Sequence, residues 1–340
     1  MMKLLVSTLF MLLTLSVSAQ FSLHGKLRTL RPVTIKVTDL AGKTVVECPV
    51  KSGEEFKTKT VHIKKDLYNV HFGSYTEMMI LSDSPLKLKG FLNEDRPEES
   101  SMEFDGIDLY MQYMDVMARF KDSGSRRAVI QEAVEKDLAI DPVVRVSLMY
   151  QNKGFFELDY ESYKRILDLI PENEREAQVV KYLVDEVARR QKFALGQQAY
   201  NFTFVDLDGK EVSLSDFKGK YVLLDFSASW CGGCRMEAKK LVSEYDELKG
   251  DDLVIVTISM DNREKDWRRM VEEDKLPWVT LWNPEGFTKG NKQNVIQDAY
   301  GFYQIPFIVL IDKEGKIIAR DLRGDKVKEA IEKARKMDQF

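Results

Sequence analysis

The chain has 340 residues, which is too long for one ordinary core and predicts two or more domains. Apolar residues make up 44% of the chain and charged residues 31%, as in a soluble globular protein. The 51 Lys and Arg residues against 55 Asp and Glu residues give a formal net charge of -4, which argues against nucleic acid as a partner.

The first segment has the pattern of a targeting signal. Lys3 precedes a short apolar stretch from Leu4 to about Val17, and Val17 and Ala19 fit the small-residue rule for cleavage. The alternative is a membrane anchor, but the apolar stretch is shorter than the ~20 residues that a spanning helix needs. We therefore expect residues 1–19 to be a signal peptide cleaved after Ala19. The mature protein would be exported to the periplasm or cell envelope and would not span the membrane.

Residues 20–105 have a β pattern. Short runs rich in Val, Ile, Thr, Tyr and Phe are broken by Gly and Pro, with one turn at Ala41-Gly42. This pattern predicts a mainly antiparallel β domain, either a single sheet or a sandwich.

Residues 106–198 have a helical pattern. Leu109, Tyr113 and Met117 recur at four-residue spacing, which is typical of the packing face of a helix. The "SGS" segment at 123–125 interrupts the pattern, and Pro171 divides its last part into two predicted helices. We expect a helical connecting region.

Residues 199–340 alternate between strand and helix patterns, which predicts a layered α/β domain. A hairpin with Asp208-Gly209 at its turn comes first. Strand "KYVLLDFSAS" then leads into a helix that ends at Gly250, and a helix closes the chain.

Two of the three cysteines, Cys231 and Cys234, stand two residues apart between this strand and this helix. The unpaired N–H groups of the first helical turn would point at Cys231. The helix dipole favours negative charge there, and so favours a thiolate, which is the nucleophile of disulfide exchange. Cys234 would then attack the mixed disulfide and release the partner. The spacing therefore predicts a redox pair.

Two structural interpretations compete with the redox one. A zinc clip needs about four N or S ligands. From Tyr200 onwards the sequence has no His and no third Cys, because His24, His62 and His71 lie far upstream. A structural disulfide across so short a loop would add little stability. We therefore expect no metal, and no cofactor other than the Cys231–Cys234 disulfide.

Two acidic residues accompany the pair. Asp225 interrupts the buried strand "VLLDF", and a buried carboxylate is costly unless it has a role or a partner. Glu237 shares the inward stripe of the helix with Cys234 and Leu241. Either acid could take or give the proton of the Cys234 thiol. The alternative is that Glu237 reaches solvent and Asp225 pairs with a lysine such as Lys239.

Pro306 begins a predicted central strand, where proline is tolerated in trans. A cis peptide after Ile305 would leave the backbone of Ile305 open to an extended substrate. We expect Ile305, Pro306 and Trp230, which precedes Cys231, to bind the substrate.

The stretches "VLLDFSASWCGGCRMEAKKL" and "IPFIVLIDKEGKII" resemble the thioredoxin superfamily, and more narrowly the exported TlpA/ResA-like thiol–disulfide oxidoreductases. The resemblance implies a thioredoxin fold, with a central mixed sheet flanked by helices, over residues 199–340. It implies that Cys231 attacks, that Cys234 resolves and that Pro306 is cis. It also implies that Asp225 and Glu237 are the acids of the site.

The sequence departs from the thioredoxin pattern at Gly232-Gly233, where Gly-Pro is usual, and this leaves the direction of electron flow open. Ser227 replaces the usual aromatic residue before the Ala of this segment. The upstream part resembles the uncharacterised β domain that precedes such modules in some Gram-negative bacteria, which implies no activity.

The leading hypothesis is an exported thiol–disulfide oxidoreductase whose partners are protein thiols and disulfides of the envelope, with a membrane electron donor or acceptor upstream. A thiol peroxidase would need Thr or Ser three residues before the reactive cysteine, where this sequence has Ala228. A third hypothesis is a binding module that uses the thioredoxin domain as a scaffold.

Overall fold

The computed structural model describes residues 20–123, 125–153, 158–289 and 294–338. The predicted signal peptide, residues 1–19, lies outside the described residues. The chain divides into two compact units, Met1–Asp185 and Glu186–Phe340.

The N-terminal unit begins with eight strands in two four-stranded sheets. One sheet has the order β4-β1-β7-β8 and the other the order β3-β2-β5-β6. The strands are β1 (Leu23–Thr29), β2 (Val33–Thr38), β3 (Thr44–Val50), β4 (Glu55–Lys57), β5 (Asp66–Phe72), β6 (Tyr75–Leu81), β7 (Leu86–Leu92) and β8 (Ser101–Asp105).

The predicted mainly antiparallel β domain is confirmed, with one exception. Strands β1 and β7 run parallel, with Leu23 opposite Leu86. A parallel pair needs a long connection, and strands β2 to β6 lie between these two in the sequence. Gly25 permits the close approach, because a Cβ there would lie 1.9 Å from the carbonyl oxygen of Leu88.

Helices follow these strands, as the sequence predicted. The break at 123–125 falls where the first helix ends at Ser123 and the second is capped by the side chain of Ser125. The split at Pro171 separates the fourth and fifth helices. The helices are α1 (Asp108–Ser123), α2 (Arg126–Lys136), α3 (Pro142–Gln151), α4 (Tyr160–Asp168) and α5 (Gln178–Gln191).

The C-terminal unit is built on a seven-stranded mixed sheet with the order β10-β9-β13-β12-β11-β14-β15. Its strands are β9 (Thr203–Val205), β10 (Glu211–Ser213), β11 (Tyr221–Ser227), β12 (Leu253–Ser259), β13 (Val279–Trp282), β14 (Phe307–Ile311) and β15 (Ile317–Arg320). Its helices after α5 are α6 (Gly232–Leu248), α7 (Glu264–Asp274), α8 (Val295–Tyr300) and α9 (Asp325–Met337). This is the predicted layered arrangement of a mixed sheet and helices.

Strand β11 lies inside this sheet, parallel to β12 and antiparallel to β14. All seven of its residues are buried, because apolar layers cover both faces of the sheet. Leu224 and Phe226 belong to one layer, and Leu223 belongs to the other, together with Leu241 of α6. The alternation of a strand therefore turns the side chain of Asp225 towards the face on which Leu223 meets α6.

Among the described helices, none combines the length and apolar character needed to cross a membrane.

Candidate active site

The two cysteines lie where β11 passes into α6. Cys231 is the N-cap residue of α6, and Cys234 lies in its first turn. Their sulfurs form a disulfide with an S–S distance of 1.96 Å. The Sγ atom of Cys231 also accepts a hydrogen bond from the backbone N–H of Cys234, at 3.2 Å. This placement was predicted from the sequence. The backbone N–H that points at the Cys231 sulfur is one of the unpaired donors of the first helical turn, which favour negative charge there.

The two sulfurs differ in accessibility. Cys231 retains 8% exposure, whereas Cys234 has none. An incoming sulfur can therefore reach Cys231 first, and Cys234 can react only with a group already attached there. This order agrees with an attacking and a resolving cysteine.

Pro306 lies against the first turn of α6. The Ile305–Pro306 peptide bond is cis. A Cβ added at Gly233 would lie 3.4 Å from Cδ of Pro306, so the proline ring borders the cysteine loop. Strand β14 begins only at Phe307, so Ile305 lies outside the strand ladder.

Trp230 offers an exposed aromatic surface next to Cys231. Its side chain is 54% exposed, and the edge of the ring packs on Phe287 with 5.8 Å between ring centroids. An exposed indole beside a reactive sulfur is suited to contact with an apolar partner surface. Trp230 and Pro306 therefore both lie close to Cys231.

Asp225 is fully buried in β11. Its Oδ2 atom accepts a hydrogen bond from the hydroxyl of Thr257 on β12, at 3.1 Å. Burial raises the pKa of Asp225 to about 7, the Thr257 hydrogen bond opposes this rise, and the charge of Glu237 adds to it. The group can therefore change its protonation state near neutral pH, which is what a proton acceptor for a thiol needs.

Glu237 is half-buried on α6 and does not simply reach solvent. Its Oε2 atom accepts a hydrogen bond from the backbone N–H of Gly324, at 2.9 Å, at the start of α9. This contact holds the carboxylate near a helix N-terminus, where negative charge is favoured. From there its charge acts on Asp225.

The proposed pairing of Asp225 with Lys239 is not found in the structure. Lys239 is exposed, and the charged group that influences Asp225 is the acid Glu237. The reason is geometric, because Lys239 follows the buried Ala238 on α6 and points away from the sheet.

A further buried acid near the cysteines, Asp261, follows β12 and was not predicted from the sequence. Its carboxylate accepts hydrogen bonds from the N–H and the hydroxyl of Ser229, at 2.9 and 2.7 Å, and from the hydroxyl of Ser259, at 2.9 Å. These bonds fix the loop two residues before Cys231. The signal was present in the sequence, since Asp261 ends an apolar strand segment just as Asp225 interrupts one.

Within the described residues, no group of three or more His, Cys, Asp or Glu side chains is arranged to hold a metal ion.

Comparisons with known proteins agree with this chemistry. The AhpC/TSA family matches residues 195–320, inside the C-terminal unit. The thiol-disulfide oxidoreductase ResA of Bacillus cereus is 32% identical over 145 residues, which are 43% of this chain and 79% of that protein. The chain belongs to the TlpA/ResA-like thiol–disulfide oxidoreductases.

A further relative and a solved structure are similar over 34% and 41% of the chain. Mouse nucleoredoxin is 28% identical over 118 residues, which are 34% of this chain and 26% of that protein. The thioredoxin domain of a thiol-disulfide oxidoreductase from Bacteroides vulgatus is 39% identical, with a TM-score of 0.38, and the match covers 41% of this chain and 96% of that chain.

This TlpA/ResA-like protein is thus a thioredoxin-like oxidoreductase with its cysteine pair in the disulfide form. Its site combines one accessible sulfur, one buried sulfur and a buried acid whose pKa lies near neutrality.

Proposed function

We propose that this enzyme is exported and exchanges disulfides with proteins of the cell envelope, with Cys231 as the attacking and Cys234 as the resolving residue. The observation that carries this proposal is the asymmetry of the pair, since Cys231 is accessible at the helix N-terminus and Cys234 is fully buried. Exchange proceeds through a mixed disulfide, and the difference in exposure assigns Cys231 to the first attack and Cys234 to its resolution.

In the reductive direction, the Cys231 thiolate attacks a substrate disulfide. One S–S bond breaks, a mixed disulfide forms, and the first substrate sulfur leaves as a thiolate. The Cys234 thiol then gives its proton to Asp225 and attacks the Cys231 sulfur. The second substrate sulfur leaves with the electron pair of the broken bond, and the Cys231–Cys234 disulfide remains.

The same steps run backwards when the disulfide form oxidises a substrate dithiol. In either direction two electrons pass between the substrate and the cysteine pair. A thiol or disulfide partner at the membrane would have to restore the starting state. No further cofactor is needed for this exchange.

Trp230, Ile305 and Pro306 form the proposed substrate-binding surface. Trp230 is exposed next to Cys231, and the proline ring borders the first turn of α6. An extended substrate segment could therefore lie beside Ile305, outside the strand ladder, with its sulfur facing Cys231. These contacts would present a disulfide to the one accessible sulfur of the site.

A trapping experiment tests the assignment of the cysteines. A Cys234→Ser variant should accumulate mixed disulfides with envelope proteins, because the resolving thiol is missing. Cys231→Ser should form none, and Cys48→Ala is the matched control because Cys48 is a free, buried cysteine of β3. Mixed disulfides that form through Cys234 in the Cys231→Ser variant would contradict the assignment.

Export rests on the pattern of residues 1–19, with Lys3 before a short apolar stretch and Ala19 at the predicted cut. N-terminal sequencing of the protein recovered from an envelope fraction should begin at Gln20. A protein that keeps Met1 and fractionates with the cytoplasm would overturn this part of the proposal.

A further inference from the structure

A chain of two hydrogen bonds runs from the edge of the core to Asp225. The indole Nε1 of Trp278 lies 2.9 Å from the hydroxyl oxygen of Thr257, and that hydroxyl lies 3.1 Å from Oδ2 of Asp225. Thr257 and Asp225 are both fully buried. Trp278 is partly buried and packs on Tyr245 of α6, with 5.6 Å between ring centroids.

The chemistry of the three groups fixes the direction of both bonds. An indole N–H can only donate, so the Thr257 oxygen must accept from Trp278. A hydroxyl has a single proton, and the acceptor that faces Thr257 is the carboxylate of Asp225. Trp278 therefore orients Thr257, and Thr257 donates to Oδ2 of Asp225.

This direction makes the two oxygens of Asp225 unequal. A proton on Oδ2 would compete with the hydrogen bond that this oxygen accepts from the Thr257 hydroxyl. The other oxygen, Oδ1, is buried and has no hydrogen-bond partner among the described residues. A buried oxygen without a partner is costly, and the cost falls when that oxygen is protonated or meets a donor.

We propose that Trp278 and Thr257 are positioning residues that hold Asp225 by its Oδ2 atom and reserve Oδ1 as the atom that exchanges a proton with the Cys234 thiol. This inference rests on the proposed function, in which Asp225 is the proton acceptor. It adds which oxygen reacts and which residues select it.

The proton and the electrons balance in this step. The S–H bond of Cys234 breaks and an O–H bond forms at Oδ1. The sulfur electron pair of Cys234 forms the bond to Cys231, the mixed disulfide breaks, and the substrate sulfur leaves as a thiolate with the electron pair of that bond. Cys234 is oxidised and the substrate sulfur is reduced, and Asp225 keeps the proton until solvent removes it.

Few groups near Asp225 other than Thr257 and Glu237 could shift its pKa. The neighbouring strands face it with Thr257 and Ile308, and neither side chain titrates. Helix α6 contributes Glu237, whose charge acts on Asp225, and the start of α9 contributes the N–H that binds Glu237. Asp325, the first residue of α9, is paired with Lys240 at 2.7 Å.

The experiment follows the reaction of the reduced full-length protein with dithiodipyridine, which releases one coloured thiopyridone when Cys231 attacks and a second when Cys234 resolves. We expect Thr257→Val to raise the pH midpoint of the second phase by about one unit, equivalent to ~1.4 kcal/mol, because the carboxylate loses its donor. The first phase should keep its rate. Thr257→Ser retains the hydroxyl and should restore the wild-type profile.

Trp278→Phe keeps the ring and removes the donor. It should raise the midpoint in the same direction, by a few tenths of a unit, because the Thr257 hydroxyl is no longer oriented. In the Thr257→Val background it should add nothing, since the two residues act through one chain. If Thr257→Val fails to fold, the pH midpoints of Thr257→Ser and Trp278→Phe are compared instead. The hydrogen-bond chain requires a wild-type midpoint in Thr257→Ser and a raised midpoint in Trp278→Phe.

The outcomes separate this inference from the proposed function. If Asp225→Asn leaves the second phase unchanged, Asp225 is not the proton acceptor and the proposed function fails at that residue. If Asp225→Asn slows the second phase but Thr257→Val leaves its midpoint in place, only the hydrogen-bond chain is wrong. Additive effects of the Thr257 and Trp278 variants would also overturn the chain.

Discussion

Each unit of this protein has one buried aspartate whose pKa is raised among the described residues, and these two aspartates are bonded in opposite ways. Asp66 of the N-terminal unit accepts hydrogen bonds from the backbone N–H groups of Leu67, Gln178 and Val179. Asp225 of the C-terminal unit accepts one bond from a hydroxyl and leaves its Oδ1 atom without a partner among the described residues. Burial raises the pKa of both.

The difference shows that a raised pKa does not by itself mark a functional acid. Both oxygens of Asp66 are occupied, and two of its partners are the first residues of α5, so it joins β5 to a helix N-terminus. Asp225 lies beside the helix that carries the cysteines and keeps one oxygen available. The incomplete bonding of Asp225, rather than its burial, distinguishes the two acids.

The largest expected effect concerns the cysteines of the two units. In the reduced Cys234→Ser variant, Cys231 should react with iodoacetamide at pH 7 on the order of 10³-fold faster than Cys48 of the same chain. Cys231 caps a helix N-terminus, whereas burial raises the pKa of the Cys48 thiol. Mass spectrometry of the alkylated peptides measures both rates. Equal rates would show that the helix does not activate Cys231.

The next effect compares the two aspartates in catalysis. Asp225→Asn should slow the resolving step about 100-fold, because the Cys234 thiol loses its proton acceptor. Asp66→Asn should leave that step unchanged, since Asp66 bonds only backbone groups. Stopped-flow release of the second thiopyridone measures both. A similar loss in the two variants would mean that the effect reports folding rather than chemistry.

The same pair of variants should change stability with opposite sign. The pKa of Asp225 in the folded protein, about 7, exceeds the ~3.9 of an unfolded aspartate, so the folded state binds more protons between these values. Stability therefore falls as pH rises through this window. Asp225→Asn should stabilise the oxidised protein by about 2–4 kcal/mol at pH 8 and by little at pH 4.

Asp66→Asn should destabilise the protein at pH 8 by about 1–3 kcal/mol, because an amide cannot accept all three backbone bonds. Urea unfolding of both variants at pH 4 and pH 8 provides the measurement. Stability of Asp225→Asn that falls with pH as steeply as that of the wild type would refute the titration of Asp225.

The smallest effect concerns Glu237. Its negative charge raises the pKa of Asp225, so Glu237→Gln should lower the pH midpoint of the resolving step by a few tenths of a unit. This direction is opposite to that expected for Thr257→Val. Glu247→Gln is the matched control, because Glu247 lies exposed on the same helix and pairs with Lys328 at 2.6 Å. A midpoint that moves equally in both variants would reduce the effect to general surface charge.

Local patterns in the sequence were sufficient to predict much of the C-terminal unit. The alternation of strands and helices and the turn at Asp208-Gly209 are confirmed by β9, β10 and the elements that follow. The inward stripe of α6 is confirmed as well, with Cys234, Ala238 and Leu241 buried. These features depend on periods of two or 3.6 residues, which the chain displays over a few turns.

For the N-terminal unit, the sequence predicted the types of secondary structure but not how the strands pair. Its strands and helices were expected, but the parallel pairing of β1 with β7 was not. A strand's sequence shows which face is buried, and it does not show which distant strand lies beside it. The same limit applies to Asp261, whose bonds to Ser229 join segments that the sequence separates by 32 residues.

By itself, the sequence determined the cysteine pair, its place at a helix N-terminus and the presence of an unusual acid in a buried strand, because each is a local pattern of residue type and spacing. Only the tertiary structure decided which atoms surround that acid. Thr257 comes from the neighbouring strand β12, and Trp278 comes from the segment before β13. The N–H of Gly324 at the start of α9 binds Glu237, whose charge acts on Asp225. Hydrogen bonds between distant segments depend on how sheet and helices pack, and this packing left Oδ1 of Asp225 without a partner among the described residues.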